Sequence, residues 1–160
     1  GERMDFVVEK ATELGMAAIV PLVTARSVLR LSGERAERRR AHWQAIAVAA
    51  SEQCGRNRVP QVQAPQTLEG WLAGQPVAVP AGEQRLLLGW RDAAPWSGAA
   101  RGAASLQVLS GPEGGLTDAE EDLARSRGFR PTSLGPRVLR ADTAPLAVLA
   151  ALALETAAAP

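Results

Sequence analysis

Apolar positions recur at helical spacing at both ends of the chain and gather into short runs between them. Val7, Ala11 and Leu14 share one face of a helix expected over residues 4–14, with Gly15 as its stop. Residues 17–23 are mostly apolar and fit a buried strand, interrupted or at an edge because Pro21 cannot donate to a ladder. The longest helical pattern covers 32–54, from Ser32 to Cys54, with Trp43, Ile46, Ala47 and Ala50 as its buried stripe. A short strand is expected at 59–64, then a brief helix capped by Thr67 and ending at Leu72. Apolar strands follow at 85–90 and 106–109, separated by loops rich in proline and glycine at 74–84 and 92–102. Residues 144–158 form a helix with almost no polar face, which must be buried in a core or at a subunit interface. Strands alternating with helices predict an α/β fold, a mainly parallel sheet with helices on both faces.

Two stretches near the C-terminal end carry turn chemistry that this alternation does not require. Ser110-Gly111-Pro112-Glu113-Gly114-Gly115 follows an apolar strand, and Thr117 with Glu120 three residues later reads as a capping box. The predicted arrangement is therefore a strand, a glycine loop and a helix start. Three glycines allow the backbone to approach a ligand closely. Leu134-Gly135-Pro136-Arg137-Val138-Leu139-Arg140-Ala141-Asp142-Thr143-Ala144 is a second glycine-containing turn that runs into a helix, opened by Asp142 or Thr143 with Pro145 just inside. Two such loops can lie side by side at the carboxyl ends of strands, where open α/β sheets bind ligands. Either stretch alone is also compatible with an ordinary tight turn and helix cap.

Composition narrows the remaining classes. With 160 residues, 46% of them hydrophobic, the chain can bury one substantial core, so one domain spanning 1–160 is expected. Net charge is only +1, yet eight arginines fall between Arg26 and Arg58 against three acids. Arg26, Arg30, Arg38, Arg39, Arg56 and Arg58 are the candidates for an RNA-phosphate track, with a solvated charged face as the alternative. His42 and Cys54 are the only residues of their kinds, which leaves too few ligands for a zinc site and no Cys–His dyad. Cys54 reads as a small buried hydrophobe. One cysteine, no apolar run long enough to span a bilayer and no signal-peptide pattern suit a cytosolic protein with no metal and no membrane partner.

The two glycine stretches together, in this order and wording, resemble the C-terminal motifs of the SPOUT class of S-adenosylmethionine-dependent RNA methyltransferases. Glu9-Lys10-Ala11-Thr12-Glu13-Leu14-Gly15 and Glu52-Gln53-Cys54-Gly55-Arg56 extend the similarity over nearly the whole chain. They make it resemble the RsmE family, which methylates N3 of a uridine in 16S ribosomal RNA. The resemblance implies a deep trefoil knot, a homodimer, S-adenosylmethionine as cofactor, and 16S ribosomal RNA or the small ribosomal subunit as substrate. It implies that Gly111, Gly115, Leu134, Gly135, Val138, Leu139 and Ala144 line the cofactor pocket, joined by Leu88 and Gly89 at the preceding strand end. Arg140 is the first candidate to stabilise charge in the reaction and Arg56, from its own or the other subunit, the second, while Glu113 and Asp142 are alternative bases. The family usually carries glutamate where this chain has Asp142. In that family a small β-barrel RNA-binding domain (PUA-like) precedes Glu9, and the expectation is that it is missing here. Two other readings stand beside this one: a SPOUT enzyme with another target, such as a ribose 2′-hydroxyl, and a non-catalytic RNA-binding α/β module.

Overall fold

Of the 160 residues, the computed structural model describes 2–27, 33–97 and 99–157. Arg30, Ser32 and Ala158 lie outside the described residues. Those described group into two units, one of residues 2–23, 33–66 and 146–157, the other of 24–27, 67–97 and 99–145.

In the first unit, α1 (Glu2–Glu13) packs against α2 (Gly33–Cys54). Val8, Trp43, Ala47 and Val62 form the core, with Met4, Ile19 and Ile46 packed against it. The buried face of α1 is Val8, Ala11 and Thr12, which shares only Ala11 with the expected Val7, Ala11 and Leu14. Thr12 is tolerated there because its hydroxyl donates to the Val8 carbonyl at 2.7 Å, so no polar group is left unpaired. The Trp43 indole N–H likewise donates to Asp5 Oδ1 at 2.9 Å. Pro21 divides the apolar run into β1 (Ala18–Ile19) and β2 (Leu22–Val23). β1 pairs in parallel with β3 (Gln61–Val62), and the Pro21 carbonyl accepts from the Gln66 N–H at the start of β4 (Gln66–Thr67). Cys54, expected buried, is exposed: it lies on the same face as Ala50 and Ser51 but is the last residue of α2, and the buried stripe stops at Ser51.

The second unit opens with α3 (Leu68–Ala73), capped by the Thr67 hydroxyl on the Gly70 N–H. Its sheet holds β5 (Glu83–Leu88), β6 (Ala94–Pro95), β7 (Ser105–Ser110) and β8 (Arg130–Ser133), in the order β6-β8-β5-β7 with every pairing parallel. Central β5 buries Arg85, Leu86 and Leu87 in succession, as a strand covered on both faces requires. It ends at Leu88, two residues before the expected Trp90. The Gly89 N–H still bonds to the Thr132 carbonyl, but Trp90 has turned outward and is 78% exposed. α4 (Asp118–Ser126) packs on α3, and the Trp71 and Phe129 rings meet at 5.6 Å between centroids. α5 (Thr143–Ala157) begins in this unit and belongs from residue 146 onwards to the first; it buries Val148 and Leu149, whereas Leu154 is 75% exposed. The helix without a polar face is therefore not covered all round.

Candidate functional site

Register places three strand ends in a row. Leu88 of β5 is the pairing partner of Ser110 in β7 and of Thr132 in β8. The chain leaves these strands through Gly89, Gly111 and Leu134, so both glycine loops emerge at the same edge of one parallel sheet. Between them lies a cavity of about 630 Å³, a volume suited to a small-molecule ligand. Leu88, Gly89, Gly111, Gly115, Leu134, Gly135, Val138, Leu139 and Ala144 all line it. Its walls combine apolar leucine and valine side chains with backbone from two turns and with Ser110, Thr132 and Ser133. Such a donor set fits a flat heteroaromatic ring carrying polar edges.

The first loop owes its shape to two different glycines. A Cβ on Gly111 would lie 3.1 Å from the Leu116 amide nitrogen and 3.2 Å from the Leu116 Cγ, so the two ends of the loop can approach only at glycine. Gly115 has φ +70°, in the left-handed region, and its N–H closes a turn on the Pro112 carbonyl at 2.8 Å. The helix that follows starts with the expected capping box: the Glu120 N–H donates to the Thr117 hydroxyl while Glu120 Oε2 accepts from the Thr117 N–H. Glu120 is buried. Burial pushes its carboxyl up, but the Thr117 and Ala25 N–H groups, the Thr117 hydroxyl and the charge of Arg26 together hold it below the usual carboxylate range.

In the second loop, the Arg140 carbonyl accepts from the Thr143 and Ala144 N–H groups, both at 3.0 Å, and α5 begins there. The Arg140 side chain is exposed and lines the cavity, as do Arg137 and Glu113. Asp142 does not line it, although its neighbours Ala141 and Ala144 do; its Oδ1 accepts from the Thr143 hydroxyl.

Residues 1–153 match the family model of the RNA methyltransferase domain. The chain belongs to that family. It is 37% identical to the ribosomal RNA small subunit methyltransferase E of Bacillus subtilis, over 98% of this chain and 62% of the relative. To the protein of the same name from Synechocystis it is 40% identical, over 94% of this chain and 48% of the other. The chain thus spans about half to three fifths of the length of these relatives. Among solved structures, ribosomal RNA small subunit methyltransferase E from Neisseria gonorrhoeae bound to S-adenosyl methionine superposes with TM-score 0.86 at 39% identity, covering 95% of this chain and 61% of that one. A methyltransferase from Legionella pneumophila in complex with the same cofactor gives TM-score 0.87 at 35% identity, over 97% and 62%.

Within this RNA methyltransferase domain, the other residues singled out in the sequence fall elsewhere. Arg56 does not line the cavity: its Nη1 donates to the Thr12 and Met16 carbonyls at 2.6 and 3.0 Å, tying the end of α2 to the end of α1. Arg38 is exposed beside Glu34, and Arg39 and Arg58 also lie away from the cavity lining. Arg26, grouped with them by sequence, does line it. Sequence reasoning missed Trp90, whose apolar character read as strand, and Glu121, whose carboxylate faces the Arg91 guanidinium at 3.1 Å. Among the described residues no group of three potential ligands is arranged to hold a metal, and no helix is long and apolar enough to cross a membrane.

Proposed function

We propose that this chain is the SPOUT-class catalytic domain of an S-adenosylmethionine-dependent enzyme that methylates N3 of a uridine in 16S ribosomal RNA. One observation carries the reading: the two glycine loops converge at adjacent parallel strand ends on a cavity lined by all nine residues assigned to cofactor binding. The loops are also the segments that a deep trefoil knot of this class would involve. Bound in the cavity, S-adenosylmethionine would supply an electrophilic sulfonium methyl. The chain's own task is to align a uridine beside it and to stabilise the negative charge spread over the base when N3 gives up its proton. Arg140 lines the cavity and is assigned the stabilisation of that charge; Glu113, which lines it as Asp142 does not, is the proposed base. Arg38, Arg39 and Arg58 remain candidates for phosphate contacts, and Arg56 is assigned a structural role at its two carbonyls.

The relatives' name supports the small-subunit RNA as substrate, and with it a bacterial cytoplasmic location. The test is to incubate the protein with S-adenosylmethionine and small-subunit RNA and to identify the product nucleoside by mass spectrometry. N3-methyluridine is expected. A ribose-methylated nucleoside would move the enzyme to another SPOUT target. Cofactor titration without any heat or displacement would leave only an RNA-binding module.

A homodimer is part of the proposal, supported by α5, which leaves Leu154 75% exposed on a helix without a polar face. Leu154→Lys is expected to shift sedimentation at micromolar concentration from dimer towards monomer while the chain keeps its folded circular-dichroism spectrum, with the melting temperature falling only by the lost dimer contribution. Leu149, at 7% exposure, is core, and a lysine there would report unfolding instead. A wild-type monomer under the same conditions removes the dimer.

A further inference from the structure

We infer that Arg26 is a positioning residue that latches the Gly111–Leu116 loop, and with it the cavity, in a ligand-ready shape. The inference rests on the reading of this cavity as the cofactor site. Arg26 Nη1 donates to the Gly114 carbonyl at 2.8 Å and to the Leu116 carbonyl at 3.3 Å. These two carbonyls flank Gly115, the one loop residue held at positive φ. The aliphatic stem of Arg26 covers the same turn so closely that a Cβ on Gly114 would stand 3.4 Å from its Cβ and Cδ. One residue back, the Ala25 N–H donates to Glu120 Oε1 at 2.8 Å, and Glu120 Oε2 is taken by the Thr117 N–H at 2.8 Å and hydroxyl at 3.1 Å. The segment is braced in itself as well, since Ser27 Oγ accepts from the Thr24 N–H at 2.9 Å.

Residues 24–27 therefore grip the loop at two points, its last turn and the first turn of α4. A guanidinium suits the first grip because the two N–H bonds of its planar Nη1 group are held in fixed directions and can reach two carbonyls, and charge-assisted bonds are stronger than neutral ones. Carbonyls engaged by Arg26 cannot rotate towards the electronegative edge of an incoming ligand. The loop geometry thus depends on a residue nearly ninety positions earlier in the chain, and the glycines supply only the freedom to adopt it.

The competing role is a phosphate contact, and the two separate by measurement. Arg26→Ala and Arg26→Lys would be compared with the wild type by calorimetric titration of S-adenosylmethionine, by amide hydrogen exchange, and by RNA affinity as a function of salt. For the alanine variant, cofactor affinity should fall about tenfold or more and the Gly115 amide, now bonded to Pro112, should exchange faster. Lysine, a single point donor, should recover only part of the affinity. The slope of log affinity for RNA against log salt should stay unchanged, whereas loss of a phosphate contact would reduce it by about one. Unchanged cofactor affinity and unchanged exchange at Gly115, with a reduced salt slope, would overturn the latch. If the wild type itself binds no cofactor, the proposed function fails, and the exchange comparison still decides the latch: unaltered protection at Gly115 overturns it and faster exchange upholds it.

Discussion

Replacing Arg140 with alanine is expected to lower kcat about 10²–10³-fold while leaving S-adenosylmethionine affinity within about a factor of two. The side chain is exposed at the cavity, so its removal opens no void in the core. What holds the local backbone is the Arg140 carbonyl, which accepts the Thr143 and Ala144 N–H groups and survives any side-chain change. Charge is then the quantity removed. In the proposed reaction that charge matters only as the uridine ring becomes anionic, so its loss raises the barrier without weakening ground-state cofactor binding. A preorganised donor at a developing oxyanion is worth about 2.7–4 kcal/mol, which sets the size of the effect. Arg140→Lys should recover part of the rate, since a point charge can stand in for electrostatics but not for a planar fork. Single-turnover methyl transfer, with cofactor affinity measured separately, is the check. An equal loss in cofactor affinity and rate would make Arg140 a binding residue. An unchanged rate would direct attention to Arg137, the other arginine of the second loop on the cavity.

Local chemistry was legible in the sequence wherever neighbours along the chain decide it. Thr117 and Glu120 form the capping box their spacing implies, Thr67 caps its short helix, and Pro21 splits the strand it interrupts. The same holds for the cavity, because both glycine loops follow strands and the parallel order of β5, β7 and β8 sets their ends side by side. Features that run against a residue's apparent polarity, or that depend on distant partners, were not legible. Thr12 occupies the buried face of α1 through a bond to its own helix, so a reading by polarity passes it over. Trp90 looks like the end of an apolar strand, yet the ladder stops at Leu88 and the ring turns outward. Arg26 and Arg56 both belong to an arginine-rich stretch, and charge counting treats them alike. In the structure each is committed to backbone carbonyls: Arg56 at the end of α1, Arg26 at the glycine loop. Counting arginines measures a field, whereas their hydrogen-bond partners assign their work.

Gly115→Val is expected to weaken S-adenosylmethionine binding on the order of 100-fold while the global melting temperature changes little. The cause is the backbone and not the volume of the new side chain. A Cβ at this position would find only Arg26 Nη1, at 4.0 Å, so space is available. The φ of +70°, however, costs an L-residue roughly 1–2 kcal/mol, and a β-branched one more. The loop can escape that cost by releasing the turn in which the Gly115 N–H bonds to the Pro112 carbonyl, and the Gly114 and Leu116 carbonyls then leave Arg26. Relaxation of that kind deforms one wall of the cavity but no element of the sheet, which is why affinity falls and stability does not. A series distinguishes strain from crowding. Asparagine, which tolerates the left-handed region, should bind the cofactor more tightly than alanine, and alanine more tightly than valine, although asparagine is bulkier than alanine. Calorimetric titration of the three variants gives the order directly. Ranking by side-chain volume instead, with alanine ahead of asparagine, would show that ligand crowding governs the site, and affinity equal to wild type in all three would place the cofactor elsewhere.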